Sequence, residues 1–183
     1  MTPVRCFLMV AAATIALTAC TDMDGTPGRP ANGAVIGGSI GTQLDMQEAE
    51  LNRALAGSGA QVVNTGSSIE LILPENVTFA FDSFVVNQSF WGPLAAIAQN
   101  LARHSNSTVR VVGHTDIIGS AAYNDNLSTQ RALAVSRILI GNGLATSRLT
   151  YFGQGFRQPV VSNATSAGRA LNRRVEIFIT PTR

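Results

Sequence analysis

The sequence contains no lysine, so all 13 of its basic residues are arginines. Charged residues of both signs are scarce as well, at 13% of the chain against about 25% in typical soluble domains. Removing residues 1–19 takes away one arginine and no acid, which leaves 12 minus 11, a formal charge of +1. This balance excludes the strongly basic surface that nucleic-acid-binding proteins use, so we expect no nucleic-acid partner.

Cysteine is nearly absent, and both cysteines lie close to the N-terminus, at Cys6 and Cys20. Arg5 precedes an apolar run over residues 7–17, which is shorter than the roughly 20 residues that cross a bilayer. A positive residue followed by a short apolar run is typical of a secretory signal peptide, which we predict over residues 1–19. Cleavage there removes Cys6, so the mature chain has no intramolecular disulfide.

The end of the predicted signal peptide, Leu17-Thr18-Ala19-Cys20, resembles the lipobox of bacterial lipoproteins. The resemblance implies that Cys20 is acylated and anchors the chain in membrane lipid, because two lipid signals suffice for stable anchoring. Lipoproteins kept in the inner membrane often carry aspartate directly after the acylated cysteine. This chain has Thr21 at that position, so the resemblance favours the outer membrane. An ordinary cleavage site followed by an incidental cysteine is the alternative.

Residues 20–60 are expected to lie outside the compact domain, which we predict over residues 61–183. Residues 21–32 are rich in Pro and Gly and poor in apolar residues, so we expect them to form a tether. Glycines then recur every fourth residue from Gly33 to Gly41, a pattern that fits close helix contact in a membrane or a flexible spacer equally well. Residues 43–55 have the apolar spacing of a short amphipathic helix.

The C-terminal domain alternates extended and helical patterns. Alternating apolar and β-branched residues predict strands over residues 69–73, 77–81, 108–113, 149–153 and 175–179. Helical spacing predicts two main helices and a short helical turn, over residues 88–102, 127–139 and 166–171. We therefore expect an α/β (α+β) fold, a mixed sheet of about four strands with two main helices packed on one face.

Asp116 and Arg131 are the predicted ligand-binding pair. Arg131 lies four residues after Leu127, on the apolar face of the predicted helix and in its first turns, where a cation opposes the helix dipole. Its guanidinium and the free N–H groups of the helix N-terminus predict an anion site, and Asp116 predicts a cation site. An amino acid that carries both charges matches the pair. A simple salt bridge that closes the loop explains the two residues equally well.

Two other chemistries can be drawn from the same region. Ser128, His114 and Asp116 contain the residue types of a hydrolytic triad, but no G-x-S-x-G turn surrounds the serine. His104, His114 and Asp116 contain metal-ligand types, but the histidines lack the compact spacing of zinc motifs. We therefore predict no catalysis, no metal and no cofactor.

Many residues in this region, in the same order and spacing, are similar to those of the OmpA-like peptidoglycan-binding domain family. They are Val112–Asp116, Gly119, Tyr123–Asn124, Asn126–Ser128, Arg131–Ala132, Val135, Gly143, Gly153, Gly155, Pro159, Asn163, Gly168–Arg169 and Asn172–Val175, together with Phe79–Ser83 near the start. The resemblance covers about 110 residues, from Ile69 to Pro181. It departs from the family at Gly155–Arg157, where an acidic residue is frequent.

The resemblance implies that the ligand is the diaminopimelate of peptidoglycan, gripped by Asp116 and Arg131. The other residues that it places at the pocket are Asn124, Leu127, Ser128, Phe81 and Asp82. Of the adjacent Arg173 and Arg174, we take Arg174 as the one that reaches the ligand; tying the last strand to the sheet is the alternative role.

Two functions fit this reading. The first is an outer-membrane lipoprotein of the peptidoglycan-associated type, which tethers the membrane to the cell wall through its periplasmic domain. The alternative is an envelope regulator that sequesters a periplasmic signalling protein, with the helix over residues 43–55 as the partner surface.

Overall fold

The computed structural model describes residues 40–80 and 82–182, all of which lie in one compact unit. The helices are α1 (Ile40–Ala54), α2 (Glu75–Thr78), α3 (Trp91–Arg103), α4 (Ala121–Gly141) and α5 (Ser166–Asn172). The strands are β1 (Gln61–Asn64), β2 (Ile69–Pro74), β3 (Ser107–His114), β4 (Leu149–Gly155) and β5 (Arg174–Pro181). Short 3-10 turns cover Gln88–Phe90 and Thr146–Arg148.

The five strands form one mixed sheet in the order β1-β2-β5-β3-β4. β3 and β4 run parallel, and the other neighbours are antiparallel. Alternate residues of β2, β3 and β5 point to the helices, because side chains alternate between the two faces of a strand. The predicted α/β (α+β) fold with a mixed sheet is confirmed, and the sheet has five strands where about four were expected.

Helices α1, α3 and α4 bury their apolar side chains in a single core against one face of the sheet. The fully buried strand residues of this core are Ile69, Leu71, Leu73, Val109, Val111, Val175, Ile177 and Ile179. Removing apolar surface from water stabilises such a core by about 25 cal/mol for each Å². The core therefore fixes where the ends of β3 and β5 meet the helices.

Helix α1 belongs to the same unit as the sheet. Gln47 Nε2 donates to Asn100 Oδ1 on α3 at 2.8 Å, and both residues are buried. The apolar face of α1 faces the core through Leu44, Leu51 and Leu55. The expected domain start at Gln61 therefore falls inside this unit, and residues 43–55 present a largely polar surface to solvent.

Two local predictions are wrong. The strand predicted over residues 77–81 is absent at residues 77–80, because the chain turns after Pro74 into the single-turn helix α2, where Thr78 Oγ1 donates to the Pro74 carbonyl at 2.7 Å. Helix α4 begins at Ala121 rather than near Leu127, with Ser120 as its N-cap accepting from Tyr123 N. The described part of the chain contains no helix long and apolar enough to cross a membrane.

Candidate functional site

A cavity of about 390 Å³ opens where the end of β3, helix α2 and the first half of α4 meet. Five of its lining residues are charged: Glu75, Asp82, Asp116, Arg131 and Arg173. The others are Thr115, Ile118, Gly119, Tyr123, Asn124 and Leu127. A charged, partly enclosed cavity of this size suits the head group of a small polar ligand.

Arg131 is the largest buried side chain next to this cavity, and only 1% of it is exposed. Its Nε donates to the Ser83 carbonyl at 3.0 Å, and its Nη2 donates to Glu75 Oε1. Its guanidinium carbon lies 5.3 Å from the centre of the Phe79 ring. Among the described residues no acceptor contacts Nη1, so this fixed guanidinium keeps donor capacity for a ligand.

The anion site differs from the one predicted. Arg131 lies in the middle of α4, because the helix begins at Ala121. The free N–H groups of the helix N-terminus therefore do not reach it, and the expected conflict with the helix dipole does not arise there. What makes the arginine unusual is its burial and its pairing, since a buried charge is costly unless it is paired.

Glu75, at the start of α2, is the residue that pairs with it. Glu75 Oε1 accepts from Arg131 Nη2, and Glu75 Oε2 accepts from Arg173 Nε. The carboxylate thus joins two arginines that lie far apart in the sequence. Sequence reasoning missed this residue, because Pro74-Glu75-Asn76 has the composition of an ordinary turn and gives no sign of a partner on α4.

Asp116 is held by two donors of its own. Arg173 Nη1 donates to Asp116 Oδ2 at 2.8 Å, and Ile118 N donates to Oδ1 at 2.9 Å. Burial lowers the pKa of Arg173, but its hydrogen bonds to Asp116 and Glu75 outweigh burial and raise the pKa above its ordinary value. Arg173 therefore stays charged, although 31% of its side chain is exposed.

Among the ion pairs of the described residues, none joins Asp116 directly to Arg131. The connection runs from Asp116 through Arg173 and Glu75 to Arg131. The simple loop-closing salt bridge between the predicted pair is therefore not what the structure shows. Instead, the two residues keep separate partners, and both line the same cavity.

The loop and helix residues around the mouth of the cavity are also ordered by hydrogen bonds. Asn124 Nδ2 donates to the Ile118 carbonyl at 2.9 Å, which fixes the loop that carries Asp116. Tyr123 Oη donates to Asp82 Oδ1 at 2.8 Å, and this hydrogen bond raises the pKa of Tyr123. Asp82 has a positive φ of 48°, a conformation that Asp and Asn adopt more readily than most residues.

The hydroxyl of Thr115 has no hydrogen-bond partner in the described part of the chain. Thr115 lines the cavity and its Oγ1 is buried, whereas its backbone N donates to the Gly155 carbonyl at 2.9 Å. A buried hydroxyl without a partner costs free energy, since it loses its bonds to water. The cavity wall therefore contains one more polar group than the described chain satisfies.

Two predicted pocket residues lie elsewhere. Ser128 packs α4 against the sheet, where its Oγ accepts from Gly155 N at 3.0 Å and its carbonyl lies where a side chain on Gly113 would be. Arg174 donates to Glu176 Oε1 at 2.6 Å and lies outside the cavity. Neighbouring residues at a strand end point in different directions, so Arg173 and not Arg174 reaches the cavity.

The remaining predicted pocket residues are accounted for as follows. The structure brings Asp116, Arg131, Asn124, Leu127 and Asp82 together around the cavity. Phe81 and the predicted lipidation site Cys20 lie outside the described residues.

The alternative catalytic and metal arrangements are not assembled. His114 Nε2 contacts Glu176 Oε2 at 3.0 Å, whereas Asp116 pairs with Arg173 and Ser128 with Gly155, so the three residues of the hypothetical triad have separate partners. His104 contacts Glu50 instead of His114. Over residues 40–80 and 82–182, no group of three or more His, Cys, Asp or Glu is placed to hold a metal ion.

Residues 78–173 match the OmpA family. The chain belongs to the OmpA family. It is 39% identical over 146 residues to the "Probable lipoprotein YiaD" of Escherichia coli, a match that covers 80% of this chain and 67% of that protein. It is 46% identical over 104 residues to "Outer membrane porin F" of Pseudomonas fluorescens, covering 57% of this chain and 32% of the porin. The chain therefore spans about two thirds of one relative and a third of the other.

Solved structures show the same fold. A MotB-like protein from Desulfovibrio vulgaris superposes with a TM-score of 0.70 at 24% identity, covering 78% of this chain and 96% of that one. The peptidoglycan-associated lipoprotein of Burkholderia pseudomallei superposes with a TM-score of 0.54 at 29% identity, covering 60% of this chain and 89% of that one. The family membership identified from the sequence motifs is thus confirmed.

Proposed function

We propose that the cavity binds the zwitterionic end of the diaminopimelate in peptidoglycan, without catalysis, and so holds the domain on the cell wall. The ligand carboxylate accepts from Arg131 Nη1, and its ammonium donates to Asp116. The observation that carries this proposal is the buried Arg131, which three contacts fix at a cavity that Asp116 also lines, and whose Nη1 has no acceptor among the described residues. A charge-assisted pair on each side selects an amino-acid head group.

The choice of peptidoglycan as the ligand is supported by the family. The name of the Burkholderia relative associates that protein with peptidoglycan. The residues that match the OmpA family, 78–173, include the cavity residues Asp82, Asp116, Arg131 and Arg173. The geometry of the cavity supports a small amino-acid head group as the ligand, and the family supports peptidoglycan as the polymer that contains this head group.

We further propose that acylated Cys20 anchors the protein in the outer membrane, with the domain in the periplasm. The short apolar run and the lipobox-like sequence before Cys20 support this part. Anchor and cavity together make the protein a tether between membrane and wall. A Cys20→Ala variant should leave the outer-membrane fraction and appear in the soluble periplasmic fraction; continued membrane association would contradict the lipid anchor.

The regulatory alternative gains no support from α1. Its apolar side chains fill the core, so deleting residues 43–55 would unfold the domain rather than remove a partner surface alone. Substituting its exposed Met46 or Arg53 tests that idea without disturbing the core.

The test of wall binding is a pull-down on purified sacculi. Asp116→Asn should abolish most binding, because the amide no longer attracts the ligand's ammonium. Asp125→Asn is the matched control, since it also replaces an aspartate by asparagine. Asp125 lies on α4, and its carboxylate is exposed and paired with Arg157 at 2.5 Å. If Asp116→Asn folds normally and still sediments with sacculi as well as Asp125→Asn does, the proposed grip is wrong.

A titration with free amino acids identifies the head group. Each amino acid is blocked at one α-amino and its adjacent carboxyl group, so that only the far end is free. Blocked meso-diaminopimelate, whose free end carries an ammonium and a carboxylate, should bind more tightly than blocked lysine, whose free end carries an ammonium alone. Equal binding of both would show that the cavity reads something other than a carboxylate together with an ammonium group.

A further inference from the structure

We propose that Glu75 determines the specificity of the cavity, by preventing ligands that carry carboxylates but no ammonium from occupying it. This inference rests on the proposed function, because it concerns the same cavity. It assigns to Glu75 a role beyond packing. Glu75 excludes simple anions, and the zwitterion overcomes this exclusion with its own positive charge.

The contacts of Glu75 place its charge on both cations of the cavity. One carboxylate oxygen accepts from Arg131 and the other from Arg173, so neither arginine is left unpaired. Only 13% of the Glu75 side chain is exposed, and solvent therefore screens these contacts weakly. A free carboxylate that approaches Arg131 Nη1 also approaches the negative charge of Glu75.

The charge balance of the cavity has the same consequence. Two negative charges, on Glu75 and Asp116, are paired with the two positive charges of Arg131 and Arg173, whereas the charge of Asp82 is exposed to solvent. A dicarboxylate without amino groups therefore adds negative charge to a group of residues whose positive charges are already balanced. A zwitterionic head adds none, and its ammonium meets Asp116.

The backbone holds Glu75 in this place. Glu75 N donates to the Arg173 carbonyl at 3.1 Å, and Pro74 pairs with Arg174 at the end of the sheet. The carboxylate is therefore a fixed part of the cavity wall and not a mobile surface group. Its position relative to Arg131 is set before any ligand arrives.

The experiment compares two ligands of the same chain length by calorimetry on the full-length protein in detergent. Meso-diaminopimelate carries amino groups and pimelate lacks them, so the ratio of their affinities measures the discrimination. Glu75→Gln keeps an acceptor for one arginine but removes the charge. We expect it to lower the ratio about tenfold, the factor that corresponds to roughly 1.4 kcal/mol, mainly by tighter binding of pimelate.

Asp82→Asn is the matched control. It removes the same charge from the same cavity, but Asp82 accepts from Tyr123 and from neither arginine, and Asn tolerates its positive φ. We expect the ratio to change by about twofold or less, because an exposed charge is screened by solvent. An equal change in both variants, or no change in Glu75→Gln, would overturn the role of Glu75.

Arg173→Gln provides a second test that does not depend on Glu75→Gln folding. It leaves Glu75 with Arg131 as its single partner, so the shielding of Arg131 increases. We expect stronger discrimination against pimelate, and an unchanged or smaller ratio would contradict the inference. If the unmodified protein binds neither ligand, the proposed function itself fails, which is a different result from a ratio that Glu75 does not control.

Discussion

Two ionic clusters lie near the same end of the sheet. Both contain residues from the end of β3 or the loop after it, and residues from the junction of α5 with β5. The cavity cluster consists of Glu75, Asp116, Arg131 and Arg173. The sheet-face cluster consists of His114, Arg174 and Glu176, on the face away from the helices. Residues that are neighbours or near neighbours in sequence thus enter different clusters.

The two clusters differ in where their unpartnered polar atoms lie. Among the described residues His114 Nδ1 of the sheet-face cluster also has no partner, but His114 does not line the cavity. In the sheet-face cluster, Glu176 uses both oxygens, Arg174 is buried and also donates to the carbonyls of Asn172 and Gln158, and none of its members lines the cavity. In the cavity cluster, Arg131 Nη1 contacts no acceptor among the described residues, and Arg173 is partly exposed. Buried charge alone therefore does not indicate a binding site; unused hydrogen-bonding capacity at a cavity does.

The largest expected effect separates the clusters by stability. Glu176→Gln leaves the buried Arg174 without its counter-charge and removes the carboxylate that His114 contacts, so we expect a loss of about 3 kcal/mol in the free energy of unfolding. Urea denaturation measures it. The folded fraction should still bind sacculi normally, and impaired binding by folded protein would show that the sheet-face cluster also serves the ligand.

The next effect is on binding. Arg131→Lys keeps the charge but loses the planar guanidinium, so it cannot contact Ser83, Glu75 and a ligand together. We expect affinity for meso-diaminopimelate to fall about tenfold or more, which calorimetry measures. Arg157→Lys is the control, because Arg157 is exposed and pairs with Asp125. Equal affinities in the two variants would remove Arg131 from the grip.

A smaller effect concerns Thr115. Thr115→Val replaces an unpartnered buried hydroxyl by a methyl group of similar shape, so we expect the free domain to be stabilised by about 1 kcal/mol. Thermal unfolding checks this, with Thr115→Ser as the variant that keeps the hydroxyl. Destabilisation by valine would mean that the hydroxyl has a partner in solution.

The smallest effect depends on pH. Burial, and then the nearby Glu176, raise the pKa of Glu70 above its ordinary value of 4.5, so its ionisation opposes folding as the pH rises from about 4.5 through the folded pKa. Glu70→Gln should stabilise the domain at neutral pH, by about 0.5 kcal/mol or less because the site is partly solvated. Below pH 4.5 the gain should vanish. A gain that persists in acid would point to packing instead of charge.

The sequence predicted the parts of this fold that depend on periodicity. The alternation in β2, β3 and β5 identified the central strands, because each buries one face against the helices. It missed β1, which is a short edge strand whose residues are exposed or half-buried and therefore lack a strong pattern. It also started α4 too late, since residues 121–123 are exposed and add nothing to the apolar stripe, and the start of the helix is marked by the cap residue Ser120.

Only part of the candidate site could be predicted, because only some of its residues belong to a recognisable sequence pattern. Asp116 and Arg131 could be identified from their motif and from the arginine's place on an apolar face. Glu75 could not, because its role depends on two arginines that only the fold brings close to it. Choosing between Arg173 and Arg174 required knowing the residue at which β5 begins, since a shift of one residue reverses the direction of a side chain.

The packing of α1 has a mechanical consequence. A pull on the N-terminal segment enters the described structure at Ile40, along a helix fixed to α3 by its apolar face, by Gln47 and by the pair of Glu50 with Arg103. A force along α1 must therefore break many contacts between α1 and α3 at once. It does not separate the strands at the edge of the sheet by breaking their hydrogen bonds one after another. The domain is suited to resist force between its N-terminal end and a cavity filled by ligand.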